Sequence, residues 1–434
     1  MRALVCGTAI MALAGPAAGS GLTTLYTFTG GVDGGVSYAG LLPGPNGSFF
    51  GTTTLNAGTV FQLFPPAQGQ SAWTLTTLYT FTDGLDGNFP QTLVMDAAGA
   101  LYGMADHGGT RNGVCSQNGT DIGCGTVWRL APPKKGQTGW RFSVLWSFKG
   151  GTDGSSPTGG VTFGSSGELY GFTYGGFTCG QGVCGGVFQL TPPGKGMGGW
   201  SETTLYSFKG GTDGGQAGSY GPPVLDGNGV IYGVTGSGGN VRGPNCKGYG
   251  CGTVFSLSPP AGGQTAWTKS ALLEFGGRNG IQPIGGLTLD AAGNLFGGTN
   301  EGGRLADCVP GNGYPNGCGV AFELSPGGGT WHPSVLRRFT NGADGGYPFG
   351  APVNVGGTVY ATTSGDEVNS FGSLVALAPA GGAPREDVLF TFNNDANSSS
   401  PTGSLVSQSG VLYGTTAGAG TGPAPYGTVF AYTP

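Results

Sequence analysis

The sequence has little charge and almost no histidine. Only 9% of its 434 residues are Asp, Glu, Lys or Arg, and it contains 2 histidines. Soluble globular domains usually carry roughly 25% charged residues. The formal net charge of −5 provides no basic footprint, which argues against nucleic acid as a partner. Beyond the first twenty residues, no apolar run approaches the roughly 20 residues of a membrane span. This composition favours an extracellular β-rich scaffold over a cytosolic enzyme.

Glycine and proline are abundant instead, at 96 and 29 residues. Such a level indicates low complexity or disorder when it has no period, but here a period exists. Three short phrases, typified by LYGFT, GTVFQL and TTLYSF, each recur seven times. The first begins at Phe49, Leu101, Leu169, Ile231, Leu295, Val359 and Leu412. The second begins at Gly58, Gly125, Gly185, Gly252, Gly319, Gly372 and Gly427. The third ends at Phe28, Phe81, Phe148, Phe208, Phe275, Phe339 and Phe392.

Each repeat is predicted to be a sheet of four antiparallel strands, a to d. The pattern is clearest in Gly285–Pro326 and Ser334–Phe339, where apolar residues alternate with polar or small ones. A sheet this small cannot bury both faces alone, but neighbours arranged around an axis can do so. The segment Leu22–Phe28 is a d strand without its own a, b and c strands, and the C-terminus supplies an a-b-c set without a d strand. The sequence therefore predicts an all-β, seven-bladed β-propeller over residues 21–434, whose last blade is closed by the N-terminal strand.

The first twenty residues are typical of a signal peptide. Arg2 provides the charged start, Ala3–Ala14 an apolar stretch and GPAAGS a small-residue cleavage region. A first strand is the alternative, but no repeat phrase occurs there. A lipid anchor on Cys6 is a further alternative, although the apolar stretch follows this cysteine.

The other eight cysteines fall in adjacent pairs, each between a b phrase and its c phrase. An even number in matched loops of an exported chain predicts four local disulfides. Zinc binding is the alternative, but the pairs belong to four different repeats and have no histidine partners. The predicted pairs are Cys115/Cys124, Cys179/Cys184, Cys246/Cys251 and Cys308/Cys318.

Because strands alternate in direction, the b–c loops and the crossings from each d strand to the next a strand emerge on one face. Each crossing carries an Asp or Asn, usually followed by Gly. These residues either favour tight turns or form a ring of carboxylates that binds cations or sugar hydroxyls. The Asn members fit the turn as well as the Asp members do. The positions are Asp33, Asp86, Asp153, Asp213 and Asp344, with Asn279 and Asn397 in two repeats.

The same face carries aromatic residues, which suit sugar or protein surfaces because each ring joins an apolar body to a polar tip. The alternative is that some of them pack over blade edges. The predicted ligand-binding residues are Tyr38, Phe89, Tyr174, Tyr220, Tyr249, Tyr314 and Tyr347, and Phe177 and Tyr426 share their loops. Tryptophans at the c–d hairpins of five repeats are predicted to be structural wedges: Trp73, Trp140, Trp200, Trp267 and Trp331.

Residues suited to catalysis are sparse. Asp106 and His107 are adjacent in one b–c loop, where His107 would act as a general base. Other b–c loops contribute Glu301 and the pair Asp366/Glu367. Residues in blades this far apart meet only if their loops reach the axis. The sequence predicts no cofactor and no metal site.

The order LYG-x-T, Gly-rich loop, GTVF-x-L-x-P, Trp and T-x-LY-x-F-x-GG-x-DG resembles the tandem repeat of the GloVer-type bacterial surface proteins. The resemblance spans the mature chain and matches best at Gly167–Phe208 and Gly229–Phe275. It implies an exported protein of poorly defined biochemical role. Members of that family often carry a C-terminal anchor or sorting signal, which is not seen here, so we expect release from the cell, with attachment to the cell surface as the alternative. The strand pattern is also similar to NHL-like propellers, in which the equivalent face binds ligands.

We therefore expect a secreted, non-catalytic, monomeric propeller without a membrane span. Its face with the disulfide loops is predicted to bind carbohydrate or another extracellular or envelope protein. Two alternatives stay open: a hydrolase or lyase that acts on polysaccharide, and a purely structural envelope protein.

Overall fold

The computed structural model describes residues 21–179, 182–194, 198–218, 220–240, 246, 248–309, 316–378, 386–395, 399–418 and 425–434. The predicted signal peptide, residues 1–20, lies outside the described residues. The chain forms seven antiparallel sheets, each of which pairs in the order a-b-c-d. This is a seven-bladed propeller, and the predicted all-β fold is confirmed. The 3₁₀ turns are Pro45–Gly47, Leu55–Ala57, Gly211–Asp213 and Leu305–Asp307.

The blades are numbered in chain order, and each crossing is counted with the blade it enters. The strands a to d are Leu42–Pro43, Phe49–Thr53, Thr59–Phe64 and Thr74–Thr80 in blade 1; Asn88–Pro90 with Val94–Met95, Leu101–His107, Thr126–Ala131 and Arg141–Ser147 in blade 2; Ser155–Phe163, Leu169–Cys179, Gly182–Thr191 and Ser201–Ser207 in blade 3; Val224–Leu225, Ile231–Thr235, Thr253–Ser258 and Thr268–Glu274 in blade 4; Leu287–Leu289, Leu295–Thr299, Val320–Gly327 and Thr330–Arg338 in blade 5; Val353–Val355, Thr358–Thr363, Ser373–Leu377 and Glu386–Thr391 in blade 6; and Val406–Gln408, Val411–Thr415, Thr428–Thr433 and Gly21–Thr27 in blade 7. A small hairpin, Ser116–Gln117 with Thr120–Asp121, lies in the b–c loop of blade 2.

Blade 7 is shared by the two ends of the described chain. Gly21–Thr27 pairs antiparallel with Thr428–Thr433, from Gly21 opposite Thr433 to Thr27 opposite Thr428. The amide of Phe28 continues the ladder by donating to the carbonyl of Gly427 at 3.0 Å. The predicted closure of the ring by the N-terminal strand is therefore confirmed.

Neighbouring blades pack through aromatic rings. The Phe after a d strand meets the central aromatic residue of the next c strand edge-to-face, as Phe275 meets Phe322 with centroids 5.3 Å apart. This geometry is favourable beyond the area it buries. Six of the seven blade junctions repeat it, as Phe28–Phe61, Phe81–Trp128, Phe148–Phe188, Phe208–Phe255, Phe275–Phe322 and Phe392–Phe430.

The Gly of each LYG phrase provides room for that ring. Gly297 lies opposite Phe322, and a Cβ on Gly297 would be 2.4 Å from Cζ of the ring. Blade 6 has the opposite combination, because Ala361 there lies opposite Val375. A smaller c-strand side chain thus accompanies a larger b-strand residue, which explains why glycine recurs in the middle of six b strands.

Every d strand has a β-bulge, which explains the adjacent Leu and Tyr of its phrase. In blade 1 the register shifts between Val60/Tyr79 and Phe61/Thr77, so Leu78 is the extra residue. Strict alternation would place adjacent residues on opposite faces. With the bulge, Leu78 and Tyr79 both pack against the same buried cluster.

Four of the five tryptophans near the c–d hairpins contact an aromatic ring of the preceding blade, as expected for wedges. Trp140 of blade 2 lies edge-on to Phe50 of blade 1, with centroids 6.1 Å apart. The contacts Tyr102–Trp200, Tyr170–Trp267 and Tyr232–Trp331 repeat this arrangement at the next three junctions. Trp73 contacts Phe49 of its own blade, which in turn contacts Tyr413 of blade 7.

Candidate functional site

One position of the repeat has a left-handed backbone in all seven of the crossings that enter the blades. The φ angle at this position is positive at all seven junctions, although none of the seven residues is glycine. Non-glycine residues adopt this conformation at a cost of order 1 kcal/mol or more. In a chain with 96 glycines, these seven positions keep side chains. They are Val36, Phe89, Ser156, Gln216, Gln282, Tyr347 and Ser400.

The strained residues join neighbouring blades by main-chain hydrogen bonds. The amide of Ser156 donates to the carbonyl of Cys124 at 3.0 Å, and that of Gln282 donates to Cys251 at 2.9 Å. On the other side, the carbonyl of Gln282 accepts from the amide of Asn300 at 2.9 Å. Main-chain hydrogen bonds hold four of the seven crossing residues at both sides in this way: Val36, Gln282, Tyr347 and Ser400.

The aspartates of the crossings are part of these turns. Asp33 and Asp86 are buried, and each accepts a main-chain N–H four residues earlier, from Thr29 and Thr82 at 2.8 Å. Burial of Asp33 opposes its ionisation, but the hydrogen bonds to its carboxylate outweigh this effect and hold its pKa below the ordinary value. Since these carboxylates are directed into their own turns, their arrangement agrees with the turn interpretation. Asn397 lies outside the described residues.

A cavity of about 450 Å³ opens on this face near the axis. Four consecutive blades line it through their crossings and the ends of their b strands. Its lining is rich in amide, hydroxyl and carboxyl groups. The residues are Gln91, Asp106 and His107 of blade 2; Ser156, Thr158 and Tyr174 of blade 3; Gln216, Tyr220 and Gly236 of blade 4; and Gln282 and Ile284 of blade 5.

Asp106 is the acidic group of this cavity. Its side chain is 29% exposed, and its Oδ2 lies 3.6 Å from Nδ1 of His107. Burial raises the pKa of Asp106, while the charge of His107 and a hydrogen bond from Ser156 partly oppose the rise. Burial, and secondarily the charge of Asp106, also raises the pKa of Tyr174. A carboxyl group in such surroundings can accept a hydrogen bond from a ligand hydroxyl when it is ionised, and can donate one to that hydroxyl when it is protonated.

Asp106 carries a charged group at a repeat position where no other blade has one. The same position, directly after the b-strand phrase, is neutral in every other blade: Thr54, Tyr174, Gly236, Asn300, Ser364 and Ala417. Thr54 and Ser364 use their hydroxyls to bind the carbonyl of a strained crossing residue, at 2.8 and 3.0 Å. An acid is therefore not required by the fold at this point.

Aromatic rings close the axis beside the cavity. Phe349 of blade 6 lies 4.4 Å from Tyr220 of blade 4 and 6.1 Å from Tyr38 of blade 1, measured between ring centroids. These three blades are not neighbours in the ring, so their side chains meet only near the axis. Gly221 and Gly286 also approach closely, since a Cβ on Gly221 would lie 2.2 Å from Cα of Gly286. The cavity thus has an aromatic and glycine-rich end.

The four predicted disulfides are present in the structure, and they belong to the same four blades that line the cavity. They are Cys115–Cys124, Cys179–Cys184, Cys246–Cys251 and Cys308–Cys318. The second cysteine of a bridge provides the carbonyl that binds the strained residue of the next crossing in three cases, at Ser156, Gln282 and Tyr347. The bridges therefore support the backbone at the rim of the cavity.

The structure brings only some of the predicted residues together. Asp106, His107, Tyr174 and Tyr220 line the cavity, and Phe89 lies edge-on to His107 at 5.8 Å. Tyr38 is 38% exposed beside Phe349. Tyr249 is 73% exposed in a b–c loop and lies outside the cavity lining, while Tyr314 lies outside the described residues.

Tyr347 requires a correction. It was predicted to contact ligand, but it is 0% exposed and belongs to the buried cluster between blades 5 and 6. Its amide is bound to the carbonyl of Cys318 at 2.8 Å. Its ring lies in the blade junction, where it cannot contact a ligand.

The other candidate acids do not line the cavity. Glu301 is buried and accepts a hydrogen bond from Asn316 at 2.7 Å. Asp366 accepts main-chain N–H bonds from its own loop, which outweigh burial and hold its pKa below the ordinary value. Glu367 accepts a hydrogen bond from Ser400 at 2.8 Å, and its charge contributes, after burial, to raising the pKa of Tyr38.

Gln91, Ser156, Gln216 and Gln282 were missed by the sequence analysis. Three of them share the strained position, which lies three residues after the Asp or Asn of the crossing. Counting from that residue in each repeat would have placed them in one ring. Within the described residues, no group of three or more His, Cys, Asp or Glu side chains is arranged to hold a metal ion. No helix in the described part of the chain is long and apolar enough to cross a membrane.

Comparisons with known proteins give a match to a repeat family over part of the chain, and a fold. The family model of the Gloeobacter/Verrucomicrobia repeat matches residues 112–309. A search of the curated proteins finds no match. Among solved structures, the extracellular domain of BT4673, a one-component system of B. thetaiotaomicron, is 11% identical with a TM-score of 0.51, and the match covers 96% of this chain and 42% of that one. A PL25 ulvan lyase is 12% identical with a TM-score of 0.50, over 92% of this chain and 95% of that one. At these identities both likenesses describe the fold alone.

Proposed function

We propose that this chain is an exported propeller that binds a short carbohydrate in its axial cavity, a proposal that starts from the match of residues 112–309 to the Gloeobacter/Verrucomicrobia repeat. The four disulfides suit an oxidising compartment outside the cytoplasm, and the proposal includes secretion of the protein. The face that binds is the one that carries the disulfide loops.

The chemistry of the cavity supports a sugar. The side-chain amides of Gln91, Gln216 and Gln282 can each donate and accept hydrogen bonds, as adjacent sugar hydroxyls require. Tyr174 and Tyr220 add flat rings with polar tips. The volume of about 450 Å³ falls within the roughly 300–1,000 Å³ of small-molecule sites. The convergence of these groups from four blades is the observation that carries the proposal.

The rigidity of the rim also favours binding. Gln282 lies on strained backbone that main-chain hydrogen bonds hold at both sides, and Ser156 and Gln216 are each held by at least one such bond. Ordering a side chain or loop on binding costs about 0.5–1.5 kcal/mol per immobilised group. A cavity whose crossings are already fixed avoids part of this loss, so a weakly binding neutral sugar gains affinity.

The test begins with a glycan array of neutral oligosaccharides and continues with calorimetry on the ligand it identifies. The variant Q216A/Q282A should lose at least tenfold in affinity, because two amide contacts disappear. Tyr249→Ala is the control, since Tyr249 is exposed in a b–c loop on the same face but lies outside the cavity. Equal affinity of both variants and the wild type would contradict the proposed site.

Cleavage of a polysaccharide is a second candidate, favoured by the carboxyl of Asp106 and the imidazole of His107 in one cavity. An acid with a raised pKa beside a histidine can serve general acid–base chemistry. The test is turnover on a polysaccharide panel by wild type and Asp106→Asn. Cleavage that the substitution abolishes would support this candidate, and binding without cleavage would leave the carbohydrate-binding function.

A further inference from the structure

A second cavity, of about 730 Å³, lies between blades 4 and 5 on the same face. Its walls are the turn after the d strand of blade 4, the start of the disulfide loop of blade 5 and the end of the d strand of blade 5. We name it the arginine groove. It is lined by Gly276, Gly277, Arg278, Gly303, Arg304, Leu305, Ala306 and Arg338. It shares no lining residue with the axial cavity.

The three arginines form a concentration of charge that the composition does not predict. The whole chain contains 17 Lys and Arg among 434 residues and has a net charge of −5. All three side chains belong to exposed residues, and none of the described residues that line the groove is acidic. Three guanidinium groups around one cavity repel one another, so their arrangement is unfavourable without an anion.

The repeats show that the fold does not require these arginines. Arg338 occupies the position before the last Phe of the d phrase, which elsewhere is Thr27, Thr80, Ser147, Ser207, Glu274 or Thr391. Arg278 precedes the Asx residue of its turn, a position that in other described turns is Val32, Leu85, Thr152, Thr212 or Ala343. A comparable groove between blades 2 and 3 is lined by Thr152, Thr204 and Ser207 and by a single lysine, Lys209.

Most of this charge is not compensated. Arg304 lies 3.5 Å from Asp307, but both side chains are well exposed, at 67% and 43%, where such a pair contributes little. Arg278 and Arg338 have no ion-pair partner among the residues that the structure describes. The adjacent Arg337 differs, since its guanidinium is bound to Asp344 at 2.7 Å. Strand alternation thus turns one arginine inward to a carboxylate and the next outward to the groove.

We propose that the arginine groove binds an anionic group of an acidic polysaccharide, either a sulfate ester or a uronate carboxylate. Guanidinium groups present paired N–H donors that match the oxygens of such groups. Gly276, Gly277, Gly303 and Ala306 leave the walls without bulky side chains, and Leu305, which is 52% exposed, provides an apolar surface for the sugar ring beside the charged group.

The test uses dextran sulfate, polygalacturonate and neutral dextran as probes at low ionic strength. The wild-type protein should bind at least one of the two acidic polymers and not neutral dextran. The variant R278Q/R338Q should weaken that binding at least tenfold and reduce its salt dependence, because fewer counterions are released. A preference for dextran sulfate identifies the group bound in the groove as a sulfate ester, and a preference for polygalacturonate identifies it as a carboxylate.

The matched control is K134Q/K135Q, which removes the same charge from an exposed c–d hairpin on the opposite face. If this variant loses as much affinity as R278Q/R338Q, the binding is unspecific attraction and the groove is not a site. Absence of binding to both acidic polymers also overturns the proposal. The result is separable from the axial cavity, because Q216A/Q282A should bind the acidic polymers as the wild type does.

Discussion

The guanidinium of Arg337 lies 2.7 Å from Oδ2 of Asp344, a carboxylate that is 4% exposed. Three other blades place a tyrosine hydroxyl at this position, as in Tyr206, which donates to Asp213 at 2.7 Å. Blade 4 has Leu273 there, and its turn residue is the neutral Asn279. In these blades, the d strand thus supplies a hydrogen-bond donor where the turn residue is a buried aspartate, and an apolar residue where the turn residue is asparagine.

We predict that Arg337→Leu destabilises the protein by about 3 kcal/mol, because it leaves the Asp344 carboxylate buried without its charged partner. Chemical denaturation measures the free energy of unfolding. The double variant R337L/D344N, which copies the pair in blade 4, should recover most of the loss. A double variant no more stable than Arg337→Leu alone would show that the carboxylate is not what the arginine stabilises.

A second prediction concerns the glycine beneath the interblade ring. Gly297→Ala places a Cβ 2.4 Å from the Phe322 ring, so it should destabilise by about 1–3 kcal/mol through overpacking. Adding Phe322→Val reproduces the Ala361/Val375 pair of blade 6 and should remove the clash. Gly227→Ala is the control, because a Cβ there meets no atom within 4 Å. Denaturation midpoints are measured for the wild type, the control, both single variants and the double variant, and additive effects of Gly297→Ala and Phe322→Val would contradict the steric account.

The third prediction concerns stability as a function of pH. Burial raises the pKa of Glu202 from 4.5 to about 7; the Thr204 hydroxyl partly opposes the rise and the charge of Asp153 adds to it. The native state therefore binds more protons than the unfolded state between these values, so stability should fall as pH increases from 4.5 to 7. Glu202→Gln should match the wild type at pH 4 and melt at a higher temperature at pH 8. Parallel melting curves across this range would refute the assignment.

A fourth prediction connects one disulfide with the axial cavity. C115S/C124S opens a bridge of sequence separation 9 and should cost about 2.5 kcal/mol by the loop-entropy model. It should also weaken carbohydrate binding severalfold, because the Cys124 carbonyl holds the amide of the cavity residue Ser156. Calorimetry on folded protein measures this second effect.

C308S/C318S is the control for that experiment. Its bridge has sequence separation 10, so the loss of stability should be similar. The Cys318 carbonyl, however, holds Tyr347, which does not line the cavity. If both variants lose the same carbohydrate affinity, the loss comes from the general destabilisation of the protein and not from the hydrogen bond that holds Ser156.

The repeat phrases were sufficient to predict the blades, their closure and the disulfides, because strand period, turn residues and cysteine spacing are local signals. Side-chain direction in the crossings was not predictable in this way. Tyr347 and Gln282 occupy the same position of the repeat and share a left-handed backbone, yet one ring is buried and one amide lines a cavity. The difference arises from the space that the neighbouring blade leaves beside each side chain.

The cavity itself depends on contacts between distant repeats. Tyr38, Tyr220 and Phe349 are separated by more than a hundred residues along the chain and meet near the axis. No periodic pattern within one repeat indicates such a contact. Asp106 was noticed for its neighbour His107, but its significance comes from the six neutral residues at the equivalent positions.

The pairing of Gly21–Thr27 with Thr428–Thr433 has a consequence for biogenesis. Gly21–Thr27 is synthesised well before Thr428–Thr433, so the ring cannot close until the second of these strands has been made. Translation products that stop before Thr428–Thr433 would leave Gly21–Thr27 without its partner strand, and an unpaired strand edge of this kind favours pairing with other chains.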